Sequence, residues 1–562
     1  MRPSSPSRIP LLCLAALGAC ASNHATPDSV DARQQPQQQS HGAIAPPAPL
    51  AGPAPTLVVF ITVDQLSSGY FEQLKGQLTG GLGRFSERGA FFTNAFQDHA
   101  FTETAPGHAS TMSGRFPRST GIVRNIAGVN DSTAPLIGGG GEGASPRRFR
   151  GTVLYDWIQA VQPNARALSV SRKDRGAILP LGRAKQEIYW YAPLTGEFTT
   201  SVYYRDTLPD WVRRFNGRQL PRGMAGRAWT LLRPESSYPE PDSVASESGG
   251  RGYTFPHVVP ADSDLAVQAL PEFPFMDEVT AAFAIEGVRA LGLGAGPQTD
   301  VLAVSLSTTD AIGHRYGVMS REAHDQVLRV DRTIGMLIDS LYAMRDSTRI
   351  VFALTADHGV TTYLGPKFNA KWSARDSAGA AVWSLVRRVQ ERLNARGADW
   401  EAVDYEAGMF FANRAKLRQD RVDADSLLRA FVADARRIPG VLRADLMAQV
   451  TKQDTTRDAI ARRWYHAIPP DLPVGAVVTL EPGVFPGPVT HAVFSHGTPH
   501  DPDAHVPVMF YGPPFRPGRY GVFARVVDMA PTLAAVVGVA PTETLDGHVL
   551  REAIRDGVDG TK

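Results

Sequence analysis

The sequence predicts an α/β protein: a mostly parallel central sheet flanked by helices, with insertions capping the active face. Three observations predict it. Continuous apolar runs of strand length occur at Leu57 to Val63, Val301 to Leu306, Ile350 to Leu354 and Val506 to Tyr511, and such runs suit strands covered on both faces. Between the second and third, Val327, Val330, Ile334, Leu337 and Leu341 recur at three- and four-residue steps, the pattern of an amphipathic helix, with Ser320 as its N-cap. Acids and histidines fall just beyond the runs, where open parallel sheets bind ligands.

The first element along the chain is a leader. Arg2 and Arg8 precede an apolar run from Ile9 to Leu17 that is too short for a permanent membrane span. Leu17-Gly18-Ala19-Cys20 matches a lipoprotein signal, so residues 1–19 are expected to be removed and Cys20 to carry the lipid. Cleavage after Ala19-Cys20-Ala21 is the competing reading. Cys13 is discarded in both cases, which leaves at most one cysteine and no internal disulfide. Residues 20–55, rich in Pro, Gln, Ala and Ser, read as a disordered tether.

The catalytic body is expected over residues 56–562, with insertions at about 180–290 and 365–490, where polar helical stretches mix with irregular turns. The glycine run from Gly138 reads as a surface loop. The chain has 562 residues and 43% hydrophobic residues, so disorder is not its default. Lys plus Arg number 58 against 56 Asp plus Glu, and no basic run interleaved with aromatics suggests a nucleic-acid groove. No specific nucleic-acid partner is expected, and membrane contact is expected only through the lipid on Cys20.

Asp64 ends the first apolar run, Asp310 and His314 follow the second, and Asp357 and His358 follow the third. An isolated Asp at a strand end is a turn former or helix cap. Gathered on one edge, carboxylates and imidazoles form a donor set that Zn²⁺ accepts. Asp310 and His314, four apart, share a face if helical. Five candidates exceed one site, which points to two metals about 4 Å apart, the spacing that clamps both oxygens in phosphoryl transfer. His496 could complete the second site, and His505 is its rival.

Thr104 is the candidate nucleophile. Pro106 suits the first turn of a helix and would put Thr104 just before that helix's N-terminus, where free N–H groups favour an anionic phosphoryl group. An ordinary Thr N-cap is the alternative. His108, nearby, reads as a packing or supporting residue rather than a ligand. The Asn125 amide can donate to a phosphoryl oxygen without adding charge, and Lys173 and Arg175, two apart, would share a face if extended. Cations there suit a dianionic phosphoryl group.

These segments resemble the alkaline phosphatase superfamily, and within it the phosphate-irrepressible alkaline phosphatases of the PafA type. The motifs are Thr62-Val-Asp-Gln, Thr104-Ala-Pro-Gly-His, Lys173-Asp-Arg-Gly-Ala-Ile-Leu-Pro, Thr308-Thr-Asp-Ala-Ile-Gly-His, Thr355-Ala-Asp-His-Gly, Ser495-His-Gly-Thr and Asp528-Met-Ala-Pro-Thr-Leu. The resemblance implies two Zn²⁺ per chain, one on Asp64, Asp357, His358 and the Thr104 oxygen, the other on Asp310, His314 and His496. It implies that Thr104 attacks phosphorus to form a phospho-threonine, which water then hydrolyses, with Asn125, Lys173 and Arg175 on the non-bridging oxygens. The Lys-x-Arg pair belongs to the monoesterase side of the superfamily, so small phosphate monoesters are the expected substrates. Two rival readings are a nucleotide phosphodiesterase of the same superfamily and a non-catalytic lipoprotein that binds metal or phosphate. Asp501, Asp503 and His505 crowd the loop of His496 and compete with it as ligands.

Overall fold

A computed structural model describes residues 53–139, 141–363, 373–452, 456–486 and 493–555. The leader with Cys13 and Cys20, and the tether up to residue 52, lie outside the described residues.

The central sheet has nine strands: β1 (Leu57–Val63), β2 (Ala90–Phe96), β3 (Ala167–Ser171), β4 (Glu187–Ala192), β5 (Glu197–Thr199), β6 (Asp300–Leu306), β7 (Ile350–Thr355), β8 (Val508–Tyr511) and β9 (Gly518–Arg525). Their order across the sheet is β9-β2-β8-β7-β1-β6-β3-β4-β5. Every residue of β1, β3, β6 and β7 is buried, as helix-covered parallel strands require. β1 runs parallel to both β6 and β7, and β3 parallel to β6 and β4. β8 is antiparallel to β7 and β2, and β5 to β4, so the sheet is mixed and mostly parallel. The expected amphipathic helix spans Arg321–Met344, and its N-cap Ser320 Oγ accepts the N–H of Ala323 at 3.0 Å.

The segment 180–290 is only partly peripheral. Residues 187–199 form β4 and β5 on the sheet edge, and the helix Phe275–Leu291 packs on β3 and β6. β4 escaped notice because its buried run, Ile188-Tyr-Trp-Tyr-Ala, is built from large aromatics with polar tips rather than from branched aliphatic residues.

Residues 373–486 contribute a separate antiparallel sheet, ordered Val403–Glu406, Met409–Ala412, Val474–Leu480 and Val441–Leu446. The helices Ala378–Asn394 and Ala424–Ala435 cover it, and Phe410 stacks on Phe431 with ring centroids 4.0 Å apart in this second core.

One buried ion cluster ties this accessory layer to the chain just before Thr104. Arg462, on the helix Ala459–Ala467, grips the Asp98 carboxylate with two bonds of 2.7 and 2.9 Å, and His466 Nδ1 lies 2.7 Å from the Asp98 carbonyl. Burial opposes ionisation of Asp98, but His466 and Arg462 hold its carboxyl well below the usual carboxylate range. A depressed folded value means the contribution is present above the unfolded pKa, about 4, and is lost as pH falls through the folded one. Asp98→Ala removes the buried carboxylate that Arg462 and His466 share, and we expect a loss of about 3–5 kcal/mol in denaturant unfolding near neutral pH. A loss within experimental error would show that the cluster does not hold the layers together.

Candidate two-metal active site

The register of the sheet builds the site. Thr62 of β1 lies opposite Thr355 of β7 and Ser305 of β6, and Ser305 lies opposite Ser171 of β3. Each strand therefore ends at one level, and the residues that follow, Asp64, Asp357, Asp310 and Lys173, emerge on the same edge. The helix Thr308–Tyr316 carries Asp310 and His314 one turn apart, and His314 Nε2 reaches Asp310 Oδ1 at 3.2 Å.

Two groups of donor atoms gather there, each with its atoms within 4.8 Å of one another: Asp310, His314 and His496, and Asp64, Asp310 and His358. Asp310 thus belongs to both. Asp357 stands beside the second group, its Oδ2 3.6 Å from His358 Nε2. The rings of His358 and His496 stack at 3.5 Å, so the groups adjoin.

The three histidines share one orientation. Nδ1 of His314, His358 and His496 lies 2.6, 2.9 and 2.7 Å from the carbonyls of Phe494, Gly359 and Thr102 respectively. A carbonyl can only accept, so each Nδ1 carries a proton, and the opposite ring nitrogen, Nε2, is the one turned to the centre.

Charge and unsatisfied atoms point the same way. Asp64, Asp310 and Asp357 are all buried; Lys173 Nζ lies 2.5 Å from Asp64 Oδ2 and 2.7 Å from Asp310 Oδ2, and Asp357 adjoins Asp64. Burial and the neighbouring Asp357 carboxylate push Asp64 up to about 7. Burial opposes ionisation of Asp310 too, but Lys173 and His314 hold it well below the usual range. Both Asp64 oxygens, Asp357 Oδ2 and His358 Nε2 are buried and make no hydrogen bond among the described residues; the Asp64–Lys173 contact is an ion pair without hydrogen-bond geometry. Buried carboxylates left like this are costly unless a cation joins them. The set of carboxylate oxygens and imidazole nitrogens fits Zn²⁺.

Thr104 sits at this centre. It is the first residue of the helix Thr104–Thr111, with Glu103 as the extended N-cap, one position later than the sequence pattern implies. Thr104 is buried, with Oγ1 3.3 Å from Lys173 Nζ. The helix lies so close to the loop after β7 that a Cβ on Gly107 would come within 2.2 Å of the Asp357 carbonyl. Glycine at 107 therefore sets the distance between Thr104 and the loop that carries Asp357 and His358.

Asn125 adjoins the helix start: its Oδ1 accepts the N–H of Ala105 at 2.7 Å. Lys173 and Arg175 do not share an extended face. Lys173 is extended, but Arg175 lies inside the helix Asp174–Ile178 and hydrogen-bonds Asp174. The helix begins between them and rotates Arg175 away from the direction of Lys173. Arg175 Nε is buried without a hydrogen bond among the described residues. His505 is engaged elsewhere: Nε2 lies 2.9 Å from the Thr93 carbonyl, and its ring stacks on Phe96. Asp501 pairs with Arg463, and Asp503 binds Thr361 Oγ1 and Thr498, clasping the loops after His358 and His496 together.

Sequence reasoning missed one supporting residue, Gln65. Gln65, a non-glycine residue at φ 65°, donates its side-chain amide to Asp310 Oδ1 at 2.9 Å and its N–H to Asp357 Oδ1 at 3.1 Å, joining the two metal groups. Its place directly after Asp64 was the available signal. His108, fully buried, sets Nδ1 3.2 Å from Asp357 Oδ2 and Nε2 2.9 Å from Ser305 Oγ, which makes it a support rather than a ligand.

Comparison with known proteins extends beyond this geometry. The family model described as type I phosphodiesterase / nucleotide pyrophosphatase matches residues 58–407. The chain is 27% identical over 534 residues to alkaline phosphatase PhoV of Synechococcus elongatus, covering 89% of this chain and 93% of the relative. It is also 27% identical over 534 residues to alkaline phosphatase PhoK of a Sphingomonas species, covering 89% and 92%. The crystal structure of alkaline phosphatase PafA superposes with a TM-score of 0.77 at 24% identity, over 90% of this chain and 100% of that one. At that identity the superposition speaks for the fold.

Proposed function

The chain belongs to the type I phosphodiesterase / nucleotide pyrophosphatase family of the alkaline phosphatase superfamily, and from that membership we propose that it hydrolyses phosphate monoesters at a two-zinc centre through Thr104. The observation that carries the reading is the placement of one buried hydroxyl, Thr104 Oγ1, beside Lys173, which itself pairs with a carboxylate of each metal group.

Asp64, Asp357 and His358, with the Thr104 oxygen, would hold one ion, and Asp310, His314 and His496 the other. Bound divalent ions supply positive charge that lowers the pKa of the entering hydroxyl and stabilises the departing ester oxygen. The chain's own residues do the rest. The buried helix start holds Thr104 Oγ1 at phosphorus, so that attack is effectively intramolecular. A new Oγ1–P bond forms as the bond to the ester oxygen breaks, and the alcohol leaves. Water then attacks phosphorus from the opposite side, releasing phosphate and restoring Thr104. Asn125, whose amide oxygen is held by Ala105, turns its NH₂ toward a non-bridging oxygen. Lys173 adds a charge-assisted bond to the group as its charge develops. Arg175 has donors to contribute on turning from Asp174.

Export and a lipid anchor on Cys20 are part of the same reading, supported by the residue pattern of the leader. Among the described residues no helix is long and apolar enough to cross a membrane.

A phosphodiesterase is the second reading, favoured by the pairing of Arg175 with Asp174, which leaves Lys173 as the one Lys or Arg paired with the site carboxylates among the described residues. The zinc-loaded protein should hydrolyse an aryl phosphate monoester faster than the matching diester. Lys173→Ala should cost the monoester about tenfold or more and the diester less, because the ion pair is worth most to a dianion. Equal losses on both esters, or a faster diester reaction in the parent protein, would decide against the monoesterase.

A further inference from the structure

The hydrogen bonds around Asn125 continue into the accessory sheet. Glu103, the N-cap residue of the nucleophile helix, accepts the N–H of Asn125 with Oε2 at 2.8 Å. Its other oxygen accepts from Arg124 Nε, and Arg124 Nη1 crosses to Glu406 Oε1 at 3.0 Å. The Arg124 guanidinium also lies over the ring of Phe101, 5.4 Å from its centroid. Asn125 is therefore held on two sides, its backbone by Glu103 and its amide oxygen by Ala105, while its amide nitrogen has no partner among the described residues. That free NH₂ is the group a phosphoryl oxygen would meet, and two bonds from neighbouring residues set its direction.

Glu406 is itself rigidly presented. It ends the strand Val403–Glu406, and the hairpin to Met409–Ala412 turns through Ala407 at φ 49° and Gly408 at φ 89°. Two successive left-handed residues match the tight hairpin turn whose twist suits the flanking strands. A Cβ on Gly408 would lie 2.7 Å from the Val478 carbonyl, so the backbone approaches too closely for any side chain there. Ala407 adopts a conformation that costs a non-glycine residue about 1 kcal/mol. Local strain in a turn that delivers a charged side chain toward an active site is a signature of function.

We propose that Arg124 and Glu406 are positioning residues, through which the accessory sheet orients the Asn125 amide and so tunes the capture of the phosphoryl group. The proposal rests on the reading of Asn125 as a phosphoryl-oxygen donor. Glu103 relays the constraint because one carboxylate holds both Arg124 and the Asn125 backbone. Glu406 is half-exposed and Arg124 mostly buried, so the Arg124 contribution should be the larger and less sensitive to salt.

The test uses the zinc-loaded full chain with inorganic phosphate as inhibitor and an aryl phosphate as substrate. Glu406→Gln should raise the phosphate inhibition constant and KM about two- to fivefold, and Arg124→Met about tenfold, with smaller changes in kcat. The decisive comparison repeats both in an Asn125→Ala background. There each further effect should shrink to less than about twofold, because the group being oriented is gone. Equal fold-changes in both backgrounds, or no change in the parent, would overturn the proposal. If Arg124→Met fails to fold, Glu406→Gln, at a half-exposed side chain, gives the same comparison. An Asn125→Ala protein with unaltered phosphate affinity would instead overturn the role of Asn125 itself, an outcome distinct from additivity.

Discussion

Thr104→Ala is expected to lower turnover of a phosphate monoester by about 10⁴-fold or more while leaving two metal ions bound per chain. The size follows from what the substitution removes: with no Oγ1 the covalent route is closed, and nucleophile deletions in other hydrolases cost this much or more. Metal should stay because six other candidate ligands gather there, the five of the two groups and Asp357 beside them, and the backbone of the helix Thr104–Thr111 needs no hydroxyl to form. Turnover and elemental analysis of the same preparation check both halves. Thr104→Ser should retain activity, since a hydroxyl remains. An alanine variant working within a few-fold of the parent would remove Thr104 from the chemistry.

Removing the metals should have the second largest effect. Chelation is expected to abolish hydrolysis and to lower the thermal midpoint, and zinc should restore both. The buried carboxylates Asp64, Asp310 and Asp357 repel one another, Lys173 pairs with Asp64 and Asp310, and neither Asp64 oxygen has hydrogen-bond compensation among the described residues. Ions that bind the folded state alone stabilise it by mass action, about 2.7 kcal/mol at a free concentration a hundred times Kd for each independent site. Calorimetry with and without chelator measures the shift directly, apart from any assay of activity. An unchanged midpoint together with unchanged activity after verified metal removal would end the two-metal reading. Asp310→Asn should reduce bound metal, because Asp310 would hold the second ion with His314 and His496 and also adjoins Asp64 and His358.

Much of this was legible in the linear chain. β1, β6 and β7 were readable because a strand buried on both faces must be continuously apolar, and Asp64, Asp310 and Asp357 stood out as the first charges beyond such runs. His314 followed from helical spacing. The strands β4 and β5 were not readable, since aromatic residues with polar tips look alike at a sheet edge and in a cap. Arg175 was misplaced because two residues apart mean one face only in an extended chain, and the helix Asp174–Ile178 begins between them. Gln65 went unmarked because its role depends on Asp310 and Asp357, more than two hundred residues away in sequence.

Two histidines show where the boundary lies. His496 and His505 are the same side chain nine residues apart, and local sequence offered no physical ground for choosing between them. The fold chooses by giving His505 the Thr93 carbonyl and the Phe96 ring, and His496 the Thr102 carbonyl beside Asp310.

The sequence by itself determined the class of fold, the strand ends where chemistry would gather, and the kind of donor found there, because periodicity and residue type are local properties. Only the tertiary structure decided which donors meet, which ring nitrogen each histidine turns to the centre, and how Glu406 in a separate sheet reaches Asn125 through Arg124 and Glu103. Those outcomes depend on distances between segments far apart in the chain, and such distances exist only once the strands have registered and the layers have packed.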